Sequence, residues 1–184
     1  MGVRDENRER MDAAIRAAAR EQIRTVGGGA LSMRAVAREV GLVSSAVYRY
    51  YPTREALLTA LIIESYASLG DALEGTSGDP ATTWTTAAHA LRAWALARPH
   101  EFQLIYGTPI PGYVAPPETI PLAERVAAPF MAASPDAVPT LIALAELVGL
   151  LTLEQGGHLV GGPDTPDALY ERAVTDQVGR LGLG

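Results

Sequence analysis

Apolar positions recur at helical spacing along the whole chain, and no run alternates as a half-buried strand would. Met11, Ile15, Ala18, Ala19, Ile23 and Val26 share one face, which predicts a first helix from about Asn7 to Thr25, ended by Gly27, Gly28 and Gly29. Val36, Ala37 and Val40 form the stripe of a short second helix, capped by Ser32 and running to about Glu39. Gly41 follows, where a left-handed turn residue is needed at little steric cost. Ser44 caps a third short helix through Tyr51, and Pro52 stops it. Thr53 opens a long fourth helix to about Glu74, with Leu57, Leu58, Leu61, Ile62 and Leu69 facing inward.

A turn cluster, Gly75 to Asp79, marks the break from a head to a body. Asp79-Pro80 starts a helix to about Ala97 that is apolar or small nearly all round, as a central buried helix is. Pro99 starts a short helix that Gly107 ends. Residues 108 to 121 hold five prolines and read as an extended loop. Further helices are expected over Leu122 to Ala133, bent at Pro129, and over Asp136 to Val160. Thr165-Pro166 starts the last helix, striped by Leu169, Ala173, Val174, Val178 and Leu181. The expectation is an all-α chain of about nine helices: a three-helix head over residues 1–53 and a helical body over 54–184.

Two short helices hinged at Gly41, the second carrying hydroxyls, tyrosines and an arginine, describe a helix-turn-helix that reads DNA. A hairpin serving only as core would bury more on its second helix than Val47 and Tyr51 supply. These two residues lie four apart and face inward, which puts Ser44, Ser45, Tyr48 and Arg49 on the outer side. Arg49 has the geometry for a bidentate contact with guanine O6 and N7.

Charge changes the picture once it is divided. The net charge is −6, yet residues 1–60 hold ten arginines against seven acids, +3, while the remainder holds five against fourteen, −9. Such asymmetry directs the head toward a polyanion and keeps the body away from it. Cysteine is absent, so neither a disulfide framework nor a thiolate site exists. The start of the chain lacks an export signal, and the apolar stretch Ala137 to Leu153 is interrupted by Glu146 and short of the ~20 residues a span needs, so a cytoplasmic protein with no membrane partner is expected. The three histidines have no metal-ligand spacing, and no nucleophile with a base is apparent, so neither a metal, a cofactor nor an enzyme is expected. His158 reads as a hydrogen-bonded core residue. The triple glycine lacks the following GK[ST] of a phosphate loop and reads as a helix terminator.

The stretch S-x-R-x-V-A-x-x-V-G-L-x-x-x-A-V-Y-R-Y-Y-P-T-R-E-A-L-L, residues 32–58, closely resembles the N-terminal domain of TetR-family transcriptional repressors. The resemblance covers about the first sixty residues. It implies DNA contacts at Ser32, Met33, Arg34, Val43, Ser44, Ser45, Tyr48, Arg49, Tyr50, Thr53 and Arg54, with Tyr48 and Arg54 on phosphates. In the body, RPHEFQLIYGTPIPGY and LTLEQGGHL are similar to the WHG class of C-terminal domains of that family, although Leu144 and Val148-Gly149 stand where that class has its Trp and His-Gly.

Small residues between aromatics on the fifth helix leave space for an apolar effector or permit close packing. Tyr66, Trp84, Ala88, Leu91, Phe102 and Tyr106 are the candidate lining. Leu141, Leu144, Val148, Leu151, Val174 and Val178 are the candidate dimer interface, because the segment from Leu141 to Leu153 is too apolar for one modest chain to cover. The expected function is a ligand-responsive repressor, a homodimer on a pseudo-palindromic double-stranded DNA operator, released by a small-molecule effector. The competing expectation is a helical DNA-binding and dimerisation scaffold with no effector.

Overall fold

The computed structural model describes residues 2–184 and is all-helical: nine α-helices and two short 3-10 turns among the described residues, with no strand. The helices are α1 (Val3–Val26), α2 (Met33–Glu39), α3 (Ser44–Val47), α4 (Arg54–Leu73), α5 (Pro80–Ala97), α6 (Pro99–Tyr106), α7 (Ile120–Ala133), α8 (Ala137–Gln155) and α9 (Pro166–Arg180). The 3-10 turns span Gly28–Ala30 and Pro117–Thr119.

Two compact units result, and their boundary differs from the expected one at residue 53. The first unit runs to Glu64 and includes Thr108–Thr119; the second comprises Ser65–Gly107 and Ile120–Gly184. The first half of α4 therefore belongs with the head, because Leu57, Leu58 and Leu61 are fully buried there. The proline-rich loop joins it, and the Tyr113 and Thr59 hydroxyls are hydrogen-bonded at 3.1 Å. Nothing in the loop's composition announces that placement.

Local chemistry accounts for most helix ends. Ser32 Oγ accepts from the Ala35 amide, Thr53 Oγ1 from Ala56, Asp79 from Thr82 and Thr165 from Ala168, each an N-cap. Ser44 does not cap α3; Val43 holds that position and Ser44 is the first helical residue. α3 also stops at Val47, four residues before the expected end, and the chain tightens through Arg49 N–H to Ala46 O and Tyr50 N–H to Val47 O. α1 starts earlier than expected, at Val3, with Asp5 and Glu6 in its first turn where carboxylates suit the helix dipole. α8 ends at Gln155 rather than Val160. Gly157 takes φ +73°, and His158 N–H reaches Leu153 O while Gly157 N–H reaches Glu154 O, the paired bonds of a Schellman stop. His158 is exposed, contrary to the core position expected.

In the second unit α5 is central, packed against α6, α7, α8 and α9. Trp84 is fully buried with its ring edge-on to Phe130, centroids 5.1 Å apart. Its indole N–H donates to Gln177 Oε1 at 3.0 Å, and Gln177 Nε2 donates to Ala143 O and to Glu146, each at 3.0 Å. Gln177 is itself fully buried, so one amide links α5, α8 and α9. Tyr170 adds a second link, its hydroxyl donating to Ala88 O at 2.8 Å.

α8 is the exception to this burial. Val138, Leu141 and Ile142 are 67%, 54% and 60% exposed, and Leu153 is also exposed. By length and composition α8 and α4 are each apolar enough to cross a membrane, a property that buried helices of soluble proteins share, and α8 is longer than the stretch read from the sequence. Leu151 and Val174, expected on a dimer surface, are instead buried within this chain, as their inward faces pack in the core around α5.

Replacing Gln177 by Leu strands the Trp84 N–H, which costs about 1–3 kcal/mol, while the Ala143 carbonyl loses a second donor and keeps its helical bond in α8. Urea denaturation of Gln177→Leu should show that loss, and adding Trp84→Phe, which removes the stranded donor, should recover part of it.

Candidate nucleic-acid interface

The head's outer surface is set by how α2 ends. Gly41 at φ +69° lets Leu42 N–H return to Ala37 O and Gly41 N–H to Arg38 O, a Schellman stop that turns the chain sharply into α3. Any residue with a Cβ is strained there. Val36, Ala37 and Val47 fill the space between the two helices and are 0–1% exposed.

With Val47 and Tyr51 buried, Val43, Ser45, Tyr48 and Arg49 are left on the outer face, Val43 being 71% exposed. Ser32 and Arg34 are exposed at the start of α2, and Thr53 at the start of α4. Ser44 is half-buried. Tyr50 is half-buried too, its ring 5.8 Å from the Arg8 guanidinium of α1. Met33 does not belong to this surface: it is buried, since its side chain enters the head core beside Val36 and Ala37.

The end of the α3 segment is anchored by a polar chain. Tyr51 Oη donates to Asp12 Oδ1 at 2.6 Å, Arg16 pairs with Asp12 and with Glu64 at 3.0 Å each, and Arg20 also pairs with Glu64. Burial, and after it the bond to Asp12, pushes the Tyr51 phenol above its ordinary value. The phenol therefore stays protonated as a donor, and α1 ties the recognition segment to α4. Asp12 and Glu64 carried no sequence signal, since each lies on the polar side of a long helix.

Arg54, expected on a phosphate, has donors engaged within the head. Its Nε donates to Leu31 O at 3.0 Å, and Nη2 donates to Gly28 O and Gly29 O at 2.8 Å each.

In the body, Trp84, Ala88, Leu91 and Phe102 are fully buried in one packed cluster. Expected as pocket lining, they pack as core, because α5 is surrounded by four helices that fill the space between its small residues. Tyr66 and Tyr106 are half-buried beside this cluster, edge to face at 6.3 Å, with Phe102 5.3 Å from Tyr106. Leu144, Val148 and Val178 are half-buried and Leu141 is exposed, so these four stay available to a partner.

The family model for bacterial regulatory proteins of the tetR family matches residues 15–61, and that for a tetracyclin repressor-like C-terminal domain matches residues 84–177. The HTH-type transcriptional regulator Rv1816 of Mycobacterium tuberculosis is 40% identical over 153 residues, covering 80% of this chain; the chain spans 64% of the length of that relative. The crystal structure of SCO4313, named as a regulatory protein, is 32% identical with a TM-score of 0.85, covering 97% of this chain and all of the other. A single-substitution variant of TetR from Acinetobacter baumannii, solved in complex with minocycline, shares the fold at 19% identity and a TM-score of 0.63, covering 91% of this chain and 94% of its own.

Tyr51→Phe removes a hydrogen bond to a charged partner, a class worth about 1.5–3 kcal/mol, here toward the low end because Asp12 is partly solvated. Thermal denaturation should register a lower melting temperature with the helical content unchanged.

Proposed function

This chain belongs to the TetR family of bacterial transcriptional regulators, and we propose that it works in the cytoplasm as a homodimeric repressor. In this reading it holds a pseudo-palindromic DNA operator and releases it when a small molecule binds the body. The observation that carries the reading is the sorting of α3, with Val47 and Tyr51 turned into the core while Ser45, Tyr48 and Arg49 stand outward on a short helix after a tight turn. Arg49 acts as a base reader, Tyr48 and Arg34 contact phosphates, and Ser32, Ser44 and Thr53 add hydroxyls.

The second copy covers α8. Val138, Leu141, Ile142 and Ala145 are exposed at spacings of three and four, a single apolar stripe that the chain leaves open. Because residues 84–177 match a regulator's C-terminal domain, a protein partner accounts for that stripe better than a bilayer does. Leu144, Val148 and Val178 flank it.

Effector response is supported by the half-buried Tyr66 and Tyr106 pair and by the fold shared with a minocycline-bound regulator. α4 contributes to both compact units and is about 30 Å long at helical rise, a rigid element on which ligand and DNA compete for two arrangements. Linkage then requires that ligand weaken DNA binding and DNA weaken ligand binding by one factor. Close packing of Trp84, Ala88 and Leu91 favours the second reading, a DNA-binding and dimerisation scaffold without effector.

Selection of bound sequences from a random duplex library should recover a two-fold-related motif; recovery of no enriched sequence overturns the reading. On that motif, Arg49→Ala should relax preference at one base pair of each half-site, a loss of about 1–3 kcal/mol of discrimination. Ile142→Glu should give a folded monomer by sedimentation at micromolar concentration, and the same variant should bind the two-fold motif no better than a single half-site.

A further inference from the structure

Arg54 sits in the first turn of α4, where a cation is disfavoured by the helix dipole. Its donors are directed elsewhere. Both bidentate edges of a guanidinium, Nε with Nη2 and Nη1 with Nη2, use Nη2. Here both Nη2 hydrogens go to Gly28 O and Gly29 O, and Nε goes to Leu31 O. Nη1 alone remains, and it faces the Glu55 carboxylate at 3.7 Å. No fork is left for a phosphate.

The carbonyls so held belong to the turn that leads into α2. Gly27 at φ +76° swings the chain out of α1, and the 3-10 turn Gly28–Ala30 brings the carbonyls of Gly28, Gly29 and Leu31 to one point. Gln22 of α1 grips the next residue, its Oε1 accepting from Ser32 N–H at 3.0 Å and its Nε2 donating to Ser32 O at 3.4 Å. Ser32 Oγ in turn caps α2. The start of α2, which carries Arg34, is thus held by α4 through Arg54 and by α1 through Gln22.

We infer that Arg54 and Gln22 are positioning residues, a two-sided clamp on residues 28–32 that fixes where α2 begins and so where Arg34 is presented. This rests on the DNA-binding reading for its consequence, though the clamp itself is testable without DNA. Arg54 serves three carbonyls with a planar fork, and a lysine ammonium has no matching geometry.

Operator affinity is measured by fluorescence anisotropy on the selected duplex between 50 and 200 mM salt, with melting temperature recorded for each variant. Arg54→Lys, which keeps the charge, should lose affinity at least about tenfold, as Arg54→Ala does. Arg54→Ala should leave the slope of log Kobs against log salt at the wild-type value. Gln22→Met, which removes no charge, should weaken binding in the same way and also leave that slope unchanged. Wild-type affinity in Arg54→Lys or in Gln22→Met overturns the clamp, as does a slope in Arg54→Ala reduced by about 0.9 per subunit, the signature of a lost phosphate contact. If the wild-type chain selects no DNA, the functional reading fails, and the clamp is then judged by amide hydrogen exchange alone. Faster exchange over residues 28–36 in Arg54→Lys and Gln22→Met is the expected result, and unchanged exchange overturns it.

Discussion

One helix, α4, has to satisfy two hydrophobic cores at once, because its residues belong to both compact units. Its first turns bury Leu57, Leu58 and Leu61 in the head, and its last turns bury Leu69 and Leu73 in the body. A helix apolar over twenty residues would be an exposed liability alone. Its first half is tied to α1 by Arg16 and Arg20 at Glu64, and its second half meets α5 at Ser68, α6 at Tyr66 and α7 at Asp71 and Glu74. Polar groups then fix what apolar packing leaves free. Glu64, near the change from one unit to the other, receives Arg16 and Arg20 of α1, so the ion pairs set the rotation of α4 about its own axis.

The body solves a different problem. α5 carries Ala87, Ala88 and Ala95, which allow neighbouring helices to approach closely, and two tryptophans, which bring indole donors into the core. A buried N–H without an acceptor is costly, so each tryptophan needs a partner. Gln177 supplies it for Trp84 and Ser68 for Trp94. Gln177 also donates to Ala143 O and Glu146, so register between α8 and α9 is fixed by hydrogen bonds with direction, where alanine and leucine packing alone would tolerate sliding. The α8 stripe outside this core is therefore carried on a helix whose register is fixed.

Elements whose chemistry is local were legible in the sequence. Ser32, Thr53, Asp79 and Thr165 cap where their spacing to the first apolar residue indicated, and Gly41 turns because only the left-handed region closes a Schellman stop. What depended on tertiary partners was not. Met33 is the first helical residue of α2, and only tertiary packing decides that it is buried. Leu151 sits on a helix apolar on several sides and Val174 on the single stripe of α9, and in both places periodicity gives no reason to choose the partner chain over the chain's own core. Trp84 between small residues resembles a cavity wall because sequence shows which atoms are absent, not which neighbours fill the gap. The place of Arg54 in the motif assigns it to a phosphate, yet the acceptors that engage it are backbone carbonyls over twenty residues earlier, invisible to any side-chain pattern.

Arg54 also changes how the head's charge should be read. Ten arginines against seven acids suggest a diffuse positive field, but Arg16 and Arg20 face Glu64, Arg24 faces Glu21, and Arg54 is enclosed by carbonyls beside Glu55. Charges compensated at about 3 Å contribute little at a distance beyond the screening length of ~10 Å in 0.1 M salt. Arg34 and Arg49 are exposed, on α2 and on the segment after α3. The net excess of +3 is then less informative than its location. Arginines directed inward hold the frame in a fixed shape, and in the proposed function a few directed outward from that frame make the DNA contacts. A surface built this way attracts a polyanion weakly in general and strongly where its outward charges match the spacing of a groove, which is the property sequence-selective binding requires.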